Sequence, residues 1–328
     1  MIELQIKDAP AWRRSRNQAS FRVMMVIGSG PVDRCLEMSD KMEVEKAGKP
    51  DKQSAPAKVK ADDDTEIESS WMKLADLRYR IASKKNSAEG REKDLNEFLA
   101  IVRRFNAVAV YEVTCKEAGI APDAALVEKM KADVAAKLKE VDDAIQDAKE
   151  NEGDMEVRDG LMAKAQILAR TADKETAKAA YAEAVALPKT TSSQKLDIEF
   201  HLMRLGLFWN DIPMVDAHVQ ASQILVDNGG DWERRNRLKV YEATYRFAIR
   251  DFKKAATLLL DSIATFTASE LYHYPQFVFY TVVCSTISLD RKTVRSKVIN
   301  APEILQVIAI LSMFLEYYRR LHILSIIN

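Results

Sequence analysis

Apolar residues recur every three or four positions along most of this chain, and the polar residues between them carry charge. Trp71, Leu74, Leu77 and Ile81 form one such stripe, and Leu95, Phe98, Leu99, Val102 and Phe105 form another. Each spacing predicts an amphipathic helix. A third stripe begins just after Pro122 and Asp123 and runs through Val127, Met130, Val134, Leu138, Val141 and Ile145, to end near Gly153. Its five steps cover 18 residues, or 3.6 per step, which is the period of a straight helix rather than of a supercoiled one.

Beyond residue 155 the pattern repeats. The segments ARTADKETAKAAYAEAVAL, FWNDIPMVDAHVQASQIL and AIRDFKKAATLLLDSIATF align on Asp173, Asp211 and Asp251, which are 38 and 40 residues apart. Ala177, Val215 and Ala255 stand four residues after each Asp, and Tyr181, Val219 and Leu259 four residues later. A helical stripe precedes each Asp: Val157, Leu161, Ala165 and Leu168; then Leu196, Phe200, Met203 and Leu207; then Leu238, Tyr241, Tyr245 and Ala248. Each unit therefore reads as helix, Asp-started turn, helix, and a single such hairpin cannot bury its own apolar face. The expected fold is an all-α, TPR-like solenoid of helical hairpins. A small residue at the fourth position after Asp is expected to let the paired helices approach closely.

In GGDWERRNRLKVYEATYRFAIRD, Gly229 and Gly230 end one helix, Asp231 caps the next and Glu233 suits the dipole of its first turn. Leu238, Tyr241, Tyr245 and Ala248 then point inward. That leaves Arg234, Arg235, Arg237 and Lys239 on other faces, as candidate partner-facing residues. Phe252, Ala255, Ala256, Leu259, Ile263 and Phe266 make a further inward stripe. A helix is expected from Pro275 to 289 although FVFYTVVC is rich in strand-prone residues, and Asp290 is expected to cap a helix reaching Val298.

Composition sharpens this picture. Gly and Pro number only 10 and 9 in 328 residues, and 47% of the chain is apolar, which suits a mostly helical protein with a real core. Lys plus Arg and Asp plus Glu are both 49, so no global field draws the chain to nucleic acid or to an anionic membrane. Residues 41–68 combine charge, Pro50 and Pro56 with few bulky apolar residues, and residues 1–65 are expected to form a disordered or variable extension. The run ILQVIAILSMFL (304–315) is too short to span a bilayer, which takes about 20 residues.

No chemistry is legible. Cys35, Cys115 and Cys284 are far apart, and His201, His218, His273 and His322 are isolated, so neither a disulfide framework nor a metal site has its ligands. There is no phosphate-binding loop, nucleophile elbow or kinase signature, and VMMVIGSGP lacks the third Gly of a dinucleotide loop. Asp173, Asp211, Asp231 and Asp251 are structural caps rather than catalytic carboxylates. The sequence offers no catalytic, cofactor-binding or metal residue and calls for no cofactor.

The stretch GGDWERRNRLKVYEATYRFAIRDFKKAATLLLDSIATFTASELYHY, with VRDGLMAKAQILARTADKETA and KLDIEFHLMRLGLFWNDI upstream and FVFYTVVCSTISLDRKTVRSKVINAPEIL downstream, resembles the PCI-type lid subunits of the 26S proteasome, the non-ATPase regulatory subunit 6 family. GGDW and LLDSIATFTASEL favour it over the related signalosome and translation initiation factor subunits. The resemblance covers about residues 95–308. It implies a non-catalytic scaffold, assembled with other lid subunits and the ATPase base in a hetero-oligomer, in cytoplasm and nucleus. The implied organisation is an N-terminal helical region over 66–155, PCI-type helical repeats over 156–300 and a divergent apolar tail over 301–328. The family's winged-helix module, which follows the repeats, is not found after APEILQVI. The alternative of another class is an RNA-binding helical repeat that uses Arg234–Lys239.

Overall fold

The computed structural model describes residues 71–310 apart from 83–87, 152, 172–173 and 188–189. The expectations for residues 1–65, for Asp173 and for 311–328 lie outside the described residues. Among the described residues there are thirteen α-helices and two short non-α turns, and no strand. The fold is all-α.

Two compact units divide the chain, one over 70–231 and one that begins at Trp232. The first contains α1 (71–82), α2 (Ala88–Phe105), α3 (Val108–Ala118), α4 (Ala124–Asn151), α5 (Asp154–Thr171), α6 (Lys174–Val185), α7 (Ser192–Trp209) and α8 (Ile212–Asp227). α4 and α5 pack closely as one hairpin. The approach is tight where a Cβ on Gly160 would fall 2.7 Å from Ile145 Cγ1.

Helix α7 is the axis of this unit. Leu196, Ile198, Phe200, Leu202, Met203, Leu205, Leu207 and Phe208 are all buried, so it is apolar on every side and needs neighbours all round. α6 and α8 pack on it, and Trp71 of α1 stacks on Phe208 with ring centroids 4.1 Å apart. A reciprocal capping box starts it: Thr191 Oγ1 accepts from the Gln194 amide, and Gln194 Oε1 accepts from the Thr191 amide.

The long α4 differs from expectation in one respect. At 28 residues it spans about 42 Å. Only the ends of its stripe are buried, through Val127 and Met130 and through Ile145 and Ala148, while Val134, Leu138 and Val141 are half-buried. Its partners α3 and α5, at 11 and 18 residues, are shorter than it is.

The second unit contains α9 (Trp232–Ala248), α10 (Phe252–Ser262) with a short 3-10 turn (Ile263–Thr265), α11 (Tyr274–Ser288), α12 (Arg291–Val294), a π turn (Arg295–Ile299) and α13 (Pro302–Ile310). α10 packs against both α9 and α11. The strand-prone FVFYTVVC is helical because α11 is the axis here: Phe277, Val278, Phe279, Tyr280, Thr281, Val282, Cys284 and Ser285 are buried. Burial all round overrides the local preference of β-branched and aromatic residues. Asp290 caps α12 through the Thr293 amide, and the helical path widens into the π turn before Val298, closed by an Asn300 amide to Arg295 carbonyl bond of 3.2 Å.

Candidate partner interface

Two hairpin turns position everything that follows, and they share one backbone design. Asn210 and Arg250 adopt left-handed φ values of 57° and 66°. The next amide, of Asp211 or Asp251, donates back five residues to Gly206 or Arg246 at 2.8 and 2.9 Å, while Asn210 and Arg250 donate back three, to Leu207 and Phe247. This is a Schellman closure. The same Asp then opens the following helix: Asp211 Oδ1 accepts from the Met214 amide at 3.2 Å and Asp251 Oδ1 from the Lys254 amide at 3.3 Å. One residue ends one helix and starts the next.

The positions aligned on the three Asp residues are interior. Ala177, Val215 and Ala255 are each 0% exposed, and Tyr181, Val219 and Leu259 are at most 3% exposed. Val215 is not small, and close approach there depends on Gly206 opposite, where a Cβ would lie 2.8 Å from Val215 Cγ2. Lys174 Nζ reaches Asp211 Oδ2 at 2.7 Å. Burial alone would raise the Asp211 carboxyl, but the hydrogen bonds from Lys174 and from the Met214 amide outweigh it and hold the group below its ordinary range.

The entry to α9 follows from its glycines. Gly229 takes φ +123°, and a Cβ on Gly230 would sit 2.8 Å from Val226 Cα. Asp231 stands directly before the first helical residue. From there Leu238, Tyr241, Tyr245 and Ala248 are buried as the period requires.

The four candidate cations separate into different roles. Arg237 is half-buried and pairs within the chain: its Nε donates to Glu270 Oε1 at 2.7 Å, and the Tyr241 hydroxyl donates to the same oxygen at 2.8 Å. Glu270 is only 3% exposed. A buried carboxylate needs a counter-ion, and Arg237 supplies it. Arg234 is half-buried and engaged within the chain. Arg235 is exposed and Lys239 half-buried, and among the described residues neither has an ion-pair partner. They share an arc of about 60° with Trp232, a residue 65% exposed.

Two acids escaped the sequence reading. Glu270 is one, and its signal was a carboxylate set inside the apolar run around Leu271 and Tyr272. Glu242 is the other, 6% exposed between Lys254 at 2.9 Å and Arg246 at 3.2 Å. Burial raises its pKa, and the two cations more than reverse this, so the carboxyl titrates below its usual range. Trp232 was likewise missed as a surface residue.

No arrangement fit for catalysis emerges among the described residues. No group of three metal-ligating side chains occurs there, and no helix there is long and apolar enough to cross a membrane. His218 Nδ1 lies 2.7 Å from Glu199 Oε2, and His201 stacks on Tyr181. Cys115 and Cys284 are buried, and burial pushes both thiols up, away from the reactive thiolate. The depression lined by Gly153, Asp154, Met155, Glu156, Arg158, Leu187 and Thr190, about 320 Å³, is open. Tyr241 and Tyr245 are interior and present no stacking platform to a nucleobase.

Comparison with known proteins agrees with this architecture. A family model described as 26S proteasome subunit RPN7 matches residues 123–297. The chain is 41% identical over 227 residues to the 26S proteasome non-ATPase regulatory subunit 6 of Oryza sativa subsp. japonica, covering 69% of this chain and 58% of that protein. It is 40% identical over 231 residues to the homologous subunit of Arabidopsis thaliana, again 69% and 58%. Against the 26S proteasome regulatory subunit RPN7 of Saccharomyces cerevisiae it is 37% identical over 175 residues, covering 53% and 41%. The chain thus spans less than two thirds of the length of these curated relatives. With more than half of its residues matched by the family model and its aligned hairpin positions buried as a repeat demands, the chain belongs to the 26S proteasome subunit RPN7 family.

Proposed function

We propose that this chain is a non-catalytic structural subunit of the regulatory particle lid of the 26S proteasome, supporting its assembly and so ubiquitin-dependent protein degradation. Its partners are other lid subunits and the ATPase base, in cytoplasm and nucleus. Family membership supports this reading, as do the names of the relatives. The observation that carries it is the division of labour on α9. The inward side chains are consumed by packing and by the Glu270 pair, while Trp232, Arg235 and Lys239 remain at the surface. Trp and Arg are the residues most often found at the centre of protein interfaces.

Asp211 and Asp251 are occupied as caps, and Glu242 and Glu270 are neutralised by cations. The rival use of the α9 surface is RNA binding, and charge reversal separates the two. In Arg235→Glu/Lys239→Glu chain, recovery of 26S regulatory subunits falls several-fold at physiological salt while the melting temperature is unchanged, and the wild type retains no RNA under those conditions. Salt-dependent RNA retention by the wild type, abolished by the same substitutions, would overturn the proposal.

A further inference from the structure

The second helix of each hairpin turns one side to solvent, and α8 differs there from its counterparts. α6 exposes Glu175, Lys178 and Glu183, and α10 exposes Lys253, Lys254 and Asp261. The exposed residues of α8 are Pro213, Ala217, Gln220 and Ile224, with Asp227 at its last position. A solvent-facing helix side ordinarily carries charge, and 30% of this chain is charged. Pro213 has a local role, because the first turn of a helix needs no N–H there. Ala217, Gln220 and Ile224 are the residues to explain, and Ile224 is 63% exposed.

Helix geometry puts these residues together. α8 is continuous from Ile212 to Asp227, and steps of four, three and four residues hold Pro213, Ala217, Gln220 and Ile224 within an arc of about 60°. The row is about 16 Å long. Its spacing is the one by which a helix seats a second helix, knob into hole. The two edges of the row differ. Asp216 and Asp227 lie within about 40° of Gln220 on one edge. Gln220 Nε2 donates to Asp216 Oδ2 at 3.0 Å, and among the described residues neither acid is paired with a cation. On the other edge Ala221 and Leu225 are half-buried and uncharged, and His218, next round the helix, is held by Glu199.

We propose that the outer side of α8 docks an amphipathic helix of a neighbouring protein. Aliphatic residues of that helix, at the same four-three-four spacing, lie against Ala217 and Ile224, and its Lys or Arg residues run along the edge that meets Asp216 and Asp227. The surface uses none of Trp232, Arg235 and Lys239. An uncharged centre with charge confined to the rim is the anatomy of a protein interface. The two acids repel a nucleic acid backbone and an anionic membrane alike. They also oppose a second copy of α8, which would bring acid against acid.

The test uses the full-length chain and fluorescence anisotropy with three labelled peptides. The first is helical, with leucine at this spacing and lysine along one edge; the second has glutamate along that edge; the third has the composition of the first in scrambled order. The lysine peptide binds the wild type, and the other two do not. Ile224→Lys lowers that affinity about tenfold. Asp216→Lys/Asp227→Lys lowers it too and transfers binding to the glutamate peptide. Arg235→Glu leaves it unchanged, which separates this result from that of the α9 surface. Should Ile224→Lys alter the melting temperature, Ala217→Glu gives the same reading from another position of the row. Failure of the lysine peptide to bind, equal binding of the scrambled one, or affinity unmoved by these substitutions overturns the proposal. So does a wild-type dimer in sedimentation that Ile224→Lys dissolves, since the occupant is then a second copy.

Discussion

The turn at Asp211, in the first unit, and the turn at Asp251, in the second, follow the same backbone path with different side chains. The left-handed position is Asn210 in one and Arg250 in the other. Five residues before the Asp stands Gly206 or Arg246, and four after it Val215 or Ala255. Where the later residue is bulky the earlier one has no side chain, and where the later residue is a single methyl the earlier one carries a long side chain paired with Glu242. Close approach in this fold is therefore a property of a residue pair, not of a small residue at a fixed position. The ion pairs show a parallel contrast. Lys174 to Asp211 and Arg237 to Glu270 are both 2.7 Å, but the acid's side chain is 28% exposed in the first and 4% in the second. Equal distances carry unequal consequences, because only the buried acid becomes a stranded charge or leaves a stranded hydroxyl when its partner goes.

Breaking the buried pair gives the largest effect. Glu270→Ala removes the acceptor of the buried Tyr241 hydroxyl and of Arg237, and is expected to cost about 3 kcal/mol in urea unfolding followed by tyrosine fluorescence; a cost near that of a surface substitution would refute the role assigned to this cluster. Next comes the close approach in the first unit. Gly206→Ala places a Cβ against Val215 and costs about 2 kcal/mol, most of it restored by adding Val215→Ala, whereas additive losses in the double variant would show that the two side chains do not meet. The smallest effect belongs to the exposed pair and cap: Asp211→Ala costs about 1 kcal/mol after solvent screening is allowed for. Its pH dependence has a definite sign. The folded-state pKa of Asp211 is below the ordinary value of 3.8, so its contribution is present above that value and is lost as pH falls through the folded one. Asp211→Asn flattens this part of the acid limb in thermal melts, and an unchanged slope would remove Asp211 as its source.

Much of this architecture was legible because the period of the apolar residues reports which face each helix buries. The stripes of α1, α7 and α9 appear in the structure as buried faces, and Asp211, Asp251 and Asp290 open the helices that follow them. Periodicity is silent about what lies opposite a face. It therefore gave no hint that Gly206 relieves Val215, or that the middle of the α4 stripe stays half-buried. The candidate interface was partly readable for the same reason. A helical wheel puts Arg237 outside, and it is silent about the loop carrying Glu270, 33 residues later, with which Arg237 pairs. The capping box of Thr191 and Gln194 had a local signature, T-x-x-Q before an apolar run, that the repeat alignment passed over. Trp232 carried no inward spacing partner in the α9 stripe, and that was the available clue to its exposure.

The central claim is that these helical hairpins serve as a subunit among others rather than as an enzyme or an RNA binder. Native mass spectrometry of the protein, tagged in its own cells and purified at physiological salt, tests it most directly. The account predicts a complex in which one copy of this chain accompanies other 26S regulatory subunits in fixed proportion. Recovery of the chain as a free monomer, or bound to RNA with no such subunits, would contradict it.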